Sequence, residues 1–390
     1  MNPRWRLVLA AFLYAAITLA IALIGGGWWG LGRVDPLLAV PGLGWAGAAM
    51  LWAAGPLTWR QAAGVGGAVA MMVAIIAGIW GAGAFPWPQV AVFAFASMGL
   101  AVAIARWVWP VCERTPIARL PLFLSRFLRT AIIGLGISGL SWLLLPSLYA
   151  LPVQSGGPRV AVMTSLPLTG SQNGVAAVLA GEGADEPALA LLRRRYRVTM
   201  VDAVDSAALA NANILLLAHP HALAPQQYVA IDAWVRGGGR AMILADGLSS
   251  WPPLYPLGDP RNPPLTSLLT PLLSHWGVTL DAPPGLVASE EAVVDSGQRL
   301  HLYSAGRFAI QGGGCRLLAS AAIADCRIGH GRAIIVADAD WLDASHWGGV
   351  TGVGGPANWH SGNMLWLMNR LDTLAGREPA RAWAQPIWTE

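Results

Sequence analysis

The sequence contains no lysine, and all 25 of its basic residues are arginine. Without lysine there is no GxxxxGK(S/T) phosphate loop, so any ATP hydrolysis coupled to this chain belongs to a separate subunit. Charge of either sign is scarce. It occupies 12% of 390 positions, against 55% hydrophobic residues, about half the charged share of a soluble domain. The arginine excess is also absent from the second part of the chain. Residues 1–150 carry nine arginines against Asp35 and Glu113, whereas residues 151–390 carry more acids than arginines. A nucleic-acid protein would show a basic face on its folded domain. Here the excess lies among apolar runs, where it reports topology, so nucleic acid is excluded as a partner.

Five apolar runs fall at 7–26, 37–55, 61–82, 87–108 and 128–149. Each is about 20 residues, the length that crosses a ~30 Å hydrocarbon core as a helix. They predict a five-helix transmembrane domain over 1–150, in contact with the lipid bilayer. None of the five contains Asp, Glu or His. Intramembrane ionisable groups mark ion and proton pathways, so these helices read as an anchor or docking surface. Gly64–Gly67 and the Gly134/Gly136/Gly139 series offer small-residue faces for close helix packing.

Arginine sets the orientation. Arg4 and Arg6, then Arg60, then Arg106, Arg114, Arg119, Arg126 and Arg129 fall on alternate sides of the runs. The positive-inside rule makes those sides cytoplasmic. The N-terminus is then inside, and residues after 150 lie in the periplasm of a bacterial inner membrane. Trp28, Trp29, Trp45, Trp59, Trp87, Trp107 and Trp109 cluster near the run ends, where an amphipathic ring sits. Ala20-Ile21-Ala22 leaves the first run open to reading as a cleaved leader.

Residues 151–380 change character. RVAVMT (159–164), RVTMVD (197–202), ILLLA (214–218) and RAMILA (240–245) read as strands. Residues 186–196 and 225–236 carry helical patterns between them. The alternation predicts an α/β domain with a mostly parallel sheet. Further strands are expected near 299–310, 315–328 and 332–338, with a closing helix over 361–375. Gly237–Gly239 closes a helix and opens a strand. A phosphate-binding loop does the reverse, so the triplet reads as a helix C-cap.

Ligands of open α/β sheets collect beyond the carboxyl ends of the strands. Thr164, Ser165, His219, Asp246 and Asp338 end predicted strands and form the candidate ligand cleft. Cys315 and Cys326 lie on strands expected to be adjacent, and pair as a disulfide in an oxidising compartment. The acidic segment DADWLDASH holds Asp338, Asp340, Asp343 and His346. It matches no calcium loop, and a strand end running into a helix cap accounts for its aspartates, so no metal or cofactor is assigned. His219 and His221 flank a proline, without a third ligand nearby. The Pro-rich 251–264 is expected to lie over the sheet edge, as a lid or a docking surface. Trp341, Trp347 and Trp359, with the Gly-rich 348–355, make a second such surface.

The order ILLLAHP, Ala-Pro-Gln-Gln, AIDAWV and GGGRAMILAD resembles the outer domain of gliding-motility-type auxiliary components of ABC transporters. VMTSLPL (162–168), IIVADADWLD (334–343) and NMLWLMNRLDTLAG (363–376) fit the same pattern. More distantly, the order is similar to the class I glutamine-amidotransferase-like fold. The resemblance implies a membrane-anchored protein beside an ABC permease and its ATPase. In enzymes of the amidotransferase-like fold a nucleophilic Cys follows the strand matching 240–245. Here that turn reads Ala245-Asp246-Gly247-Leu248, without a thiol. Ser249 and Ser250 follow with no histidine at a telling spacing, and covalent catalysis needs a nucleophile beside a base. The expectation is a non-enzymatic auxiliary subunit whose outer domain binds a partner or an envelope ligand. Two other classes stay open: a membrane-tethered hydrolase using Ser165, His219 and Asp246, and a ligand-binding sensor.

Overall fold

The computed structural model describes residues 3–23, 35–54, 57–80, 87–108, 122–149, 156–170, 185–256, 258–346 and 362–379. These form two compact units, one from the described residues up to 149 and the other from 156 to 379.

The first unit is helical: α1 (Pro3–Leu23), α2 (Val40–Ala54), α3 (Trp59–Trp80), α4 (Trp87–Ala103) and α5 (Leu122–Tyr149). A reciprocal cap starts α3. The Thr58 N–H donates to Gln61 Oε1 (3.0 Å) and the Gln61 N–H to Thr58 Oγ1 (3.4 Å), satisfying two donors that a helix start leaves open. Helix α1 packs on α2, α2 on α5 and α3 on α4. Small residues bring the backbones together. A Cβ on Gly66 would lie 2.7 Å from the Met98 Cα and Ser97 carbonyl oxygen, and one on Gly44 would lie 2.6 Å from the Gly134 carbonyl oxygen. Gly64, Gly136 and Gly139 meet nothing within 4 Å, so only part of each expected small-residue face is used. Ser97 ties the inner contacts, its hydroxyl donating to the Gly66 carbonyl (2.9 Å). Its own carbonyl accepts from Tyr14 (3.1 Å).

The expectation of five spanning helices is corrected. Among the described residues two segments are long and apolar enough to cross a membrane, Trp59–Ile79 (mean hydropathy 2.2) and Trp87–Trp107 (1.8). For the run at 37–55 the reason lies in where its helix begins. The run at 37–55 is divided between a 3-10 turn, Pro36–Ala39, and the 15 residues of α2. At 1.5 Å per residue that helix is roughly 22 Å long, short of the hydrocarbon core. The run at 7–26 contributes a shorter apolar stretch, Val8–Ala20.

The second unit is built on a seven-stranded sheet. Its strands are β1 (Arg159–Thr164), β2 (Arg197–Met200), β3 (Ile214–Ala218), β4 (Arg240–Leu244), β9 (Cys315–Leu318), β10 (Ile323–Ile328) and β11 (Gly331–Val336). The order is β2-β1-β3-β4-β11-β10-β9. Pairing is parallel from β2 through β11 and antiparallel for β11–β10 and β10–β9. The α/β domain with a mostly parallel sheet is therefore present. Two hairpin-like pairs lie between β4 and β9 in sequence: β5 (Val278–Asp281) with β8 (Arg307–Ile310), and β6 (Glu290–Asp295) with β7 (Gln298–Tyr303).

Central strands buried on both faces need cover on both. Leu215, Leu217, Ile243 and Ile335 pack with Ile231 and Val235 of helix α8 (Pro225–Arg236). It follows α6 (Pro187–Arg195) and α7 (Ser206–Ala210) and precedes α9 (Thr270–His275). The closing helix α10 (Gly362–Leu374) buries Trp366, Leu367 and Leu371. As expected, the glycine triplet ends α8. Gly238 has φ +115° and donates to the Val235 carbonyl (2.9 Å), and Gly239 donates to Trp234 (2.9 Å). After β4 no helix begins. The chain runs irregularly from Ala245 to Leu269 before α9, so it lacks the tight strand-to-helix turn on which a nucleophile is presented.

Cys315 and Cys326 face each other across β9 and β10 and form a disulfide. Of the second aromatic surface named from the sequence, Trp347, Trp359 and the Gly-rich 348–355 lie outside the described residues.

Candidate functional site

Parallel strands end together at one edge. In the sheet register, Thr164, Ala218, Leu244 and Val336 stand side by side. Immediately beyond this line come Ser165, His219, Asp246 and Asp338, all buried. The expected residues do share that edge, but the constellation they form is closed over and centred on carboxylates.

Asp246, Asp338 and Asp340 are fully buried, and one carboxylate oxygen from each lies within 4.8 Å of the others. Their hydrogen bonds come from N–H and O–H donors, and the side chains of Asp246 and Asp340 also lie within hydrogen-bond reach of each other. Ala339 N–H donates to Asp246 Oδ1 (2.9 Å). Tyr303 N–H donates to Asp338 Oδ2 (2.6 Å) and Asp340 N–H to Asp338 Oδ1 (2.8 Å). The Ser249 hydroxyl donates to Asp340 Oδ1 (3.0 Å), and the hydroxyl and N–H of Ser250 donate to Oδ2. Asp246 Oδ2 receives no hydrogen bond. Burial, then the neighbouring charge of Asp340, pushes the carboxyls of Asp246 and Asp338 well above their ordinary range; for Asp246 the Asp338 charge adds to this.

His219 completes the group. Its φ of +45° is unusual for a non-glycine residue. That backbone is held by its N–H donating to Leu244 (2.9 Å), and its carbonyl accepts from the Ser165 N–H (3.3 Å) and hydroxyl. Nε2 lies 2.6 Å from the Pro264 carbonyl oxygen. A carbonyl only accepts, so Nε2 carries the hydrogen, and the neutral ring presents a lone pair at Nδ1. Burial holds the imidazole below its ordinary pKa, although Pro264 and Asp340 act the other way. Nδ1 has no hydrogen-bond partner and stands 3.6 Å from Asp246 Oδ2, which has none either. Two acceptors thus face each other in a buried site.

Ser165 and His219 meet through hydroxyl and backbone carbonyl, so they do not make a nucleophile and base. Thr164 Oγ1 accepts from Leu166 N–H (2.9 Å) in the turn after β1, outside the acid group. Asp343 caps the Ser345 N–H (2.8 Å), and His346 stacks on Tyr303, so neither joins the acids. His221 is exposed. The stretch from Gly247 to Ser267 closes the edge. Ser249 and Ser250 hold Asp340, Pro264 holds His219, and Ser267 N–H donates to the Asp246 carbonyl (2.8 Å). Asp340 is the member the sequence reading left out of the cleft. A signal for the centre existed in the repeated tetrapeptides ILAD (243–246) and IVAD (335–338), which place an aspartate at the same step beyond two adjacent parallel strands.

At the opposite edge a cavity of about 540 Å³ is lined by Arg197, Arg240 and Arg377 with backbone of Gly156–Pro158. Its side chains were not singled out from the sequence, because Arg197 and Arg240 start strands far apart in the chain and Arg377 follows α10.

Residues 157–293 match the model of a family described as an ABC-type uncharacterized transport system. This bears out the transport part of the resemblance for the stretch from β1 into β6. No curated protein matches the chain. Solved structures similar to it include a β-galactosidase from Rahnella sp. R3, at 13% identity and a TM-score of 0.32, over 64% of this chain and 36% of that one. The exo-β-1,4-mannosidase Op5Man5 from Opitutaceae bacterium strain TAV5 gives 12% and 0.29, over 63% and 38%. A β-galactosidase from Bacillus circulans sp. alkalophilus gives 14% and 0.31, over 67% and 36%. The chain spans little more than a third of the length of each. Likeness this weak carries no argument about activity. The amidotransferase-like assignment of the outer domain is corrected on its own geometry, since the strand-to-helix turn it requires is missing after β4.

Proposed function

We propose that this chain is a membrane-anchored, non-enzymatic auxiliary subunit of an ABC-type transport system. The observation that carries the reading is the match of residues 157–293 to a transport-system family. The pair α3 and α4 supports anchorage. Met71, Ile75, Ile79 and Phe95 point outward on it, each more than half exposed, and an apolar outer surface suits lipid. The disulfide supports a periplasmic place for the second unit, because such bonds persist in oxidising compartments. The anchor is assigned to a bacterial inner membrane. The permease and ATPase are its partner chains in this reading; the sequence itself carries no phosphate loop. The second unit binds a partner protein or an envelope ligand. The bonding of the Ser165 hydroxyl to a backbone carbonyl favours a binding role over hydrolysis.

The test is purification of the tagged protein from its own membranes in mild detergent, with mass spectrometry of co-purifying chains. An ABC permease and ATPase at near-equal amounts is the expected result. A chain that emerges alone, under conditions that keep known membrane complexes intact, removes the support for the proposal.

A further inference from the structure

The second unit contains several buried acids, and they fall into two kinds. Asp295 is bound by Arg370, Asp325 by Arg316 and Arg332, and Asp372 by Arg195. Each of these carboxylates has a guanidinium to balance its charge. Asp246, Asp338 and Asp340 have none among the described residues, although all three are fully buried. Three uncompensated charges in a dry site are untenable, because each ion costs several kcal/mol to desolvate. Either protons or a cation must be present.

Two observations favour a cation. First, three backbone N–H groups donate to the carboxylates of Asp338 and Asp340, and two serine hydroxyls lie within hydrogen-bond reach of Asp340, a donor-rich surround that suits ionised oxygens. Second, His219 Nδ1 is a fully buried lone pair without a donor, aimed at the unpartnered Asp246 Oδ2. Its other nitrogen is tied to the Pro264 carbonyl, which is how metal-ligating histidines are oriented. The geometry points to a divalent transition-metal site formed by His219, Asp246, Asp338 and Asp340, where β3, β4 and β11 end. The class follows from the donors. Carboxylate oxygens alone would suit calcium or magnesium, whereas an imidazole nitrogen selects for metals such as Mn2+ and Zn2+. The carboxylate oxygens, within 4.8 Å of one another, can share one ion at ligand distances of about 2.0–2.4 Å. The Gly247–Ser267 stretch then serves as the cover, fixed to the ligands through Ser249, Ser250 and Pro264. The site stands independently of the transport partnership.

The experiment uses the full chain in detergent. Its metal content is measured as purified by elemental mass spectrometry. The chelator-stripped protein is then titrated with MnCl2, ZnCl2, MgCl2 and CaCl2, following the melting temperature. One equivalent of transition metal per chain, and a melting temperature that falls on stripping and returns with Mn2+ or Zn2+, is expected. Asp246→Asn should lose both. His219→Asn, which tolerates the left-handed backbone, should fold and bind at least tenfold more weakly. If the carboxyls instead share protons, Asp246→Asn mimics the neutral acid, leaves the melting temperature unchanged, and overturns the proposal. A metal-free wild type indifferent to all four salts overturns it too, as does a response confined to Mg2+ or Ca2+. Should Asp246→Asn fail to fold, the wild-type stoichiometry, its response to stripping and the His219→Asn affinity still decide.

Discussion

Replacing Asp372 with Asn isolates the worth of a buried charge pair. Arg195 and Asp372 are both almost wholly buried, with guanidinium nitrogens 2.5 and 3.2 Å from Asp372 Oδ2. The Tyr196 hydroxyl lies 3.0 Å from Oδ1 and 2.8 Å from the Met368 carbonyl oxygen. This cluster joins α6 and the start of β2 to α10, over 170 residues apart in sequence. Breaking a buried ion pair by neutralising one member costs about 3–5 kcal/mol. For a domain of roughly 200 residues each kcal/mol moves the melting temperature by about 2–4 °C, so the expected fall is on the order of 6–20 °C. The assay is thermal unfolding of the full chain in detergent, read by limited proteolysis of the second unit. Arg195→Met combined with Asp372→Leu fills the same volume without charge. It should recover most of the loss, since an apolar replacement of a buried pair is often near neutral. A fall below about 1 kcal/mol in the single variant, or a double variant no better than the single, would refute the reasoning.

Two further outcomes follow from the sheet. Cys315→Ala with Cys326→Ala opens a ring closed across a sequence separation of 11. It should cost about 3 kcal/mol by the loop-entropy estimate, visible as a lower urea midpoint. Mass spectrometry that finds both thiols free in native protein would remove the bond itself. At Asp325, burial raises the carboxyl, but hydrogen bonds from Arg332 and Arg316 outweigh it and hold the group below its ordinary range. A depressed carboxyl contributes stability that is complete above the unfolded value, near pH 4, and is lost as pH falls through the lower folded value. Asp325→Asn should therefore be less stable than wild type at pH 6, and the gap should close below about pH 4. A gap independent of pH would assign the contribution to packing.

The parallel sheet was legible because its signal is local. RVAVMT, ILLLA, RAMIL and GRAIIV are short apolar runs between turn residues, and Gly237–Gly239 sits where a helix must stop and a strand begin. The expected run at 299–310 was harder. It divides at Ser304, with φ +54°, into the end of β7 and the start of β8. The β6–β7 turn is made by Ser296 and Gly297, both with positive φ, a signal present in the residues yet easily read as loop. The membrane helices failed for another reason. Hydropathy counts apolar residues but does not see that Pro36–Ala39 adopts a 3-10 turn and shortens α2. The strand-end residues of the site were foreseen one by one. Their closure into an acid centre with Asp340 was not, because it depends on which strands become neighbours and on a covering loop that arrives from elsewhere in the chain.

Both margins of the seven-stranded sheet are blunt. The outermost strands, β2 and β9, have four residues each, and each carries an arginine, Arg197 and Arg316. Short, charged margins are poor templates for another strand. The disulfide further stiffens the β9 side. Under the proposed anchorage the domain would be concentrated on a membrane surface among copies of itself, and sheet-to-sheet polymerisation is the hazard of such crowding. This sheet offers little purchase for it. The partner contact proposed for this domain would thereby fall to loops, helices and side chains rather than to backbone pairing at a sheet margin.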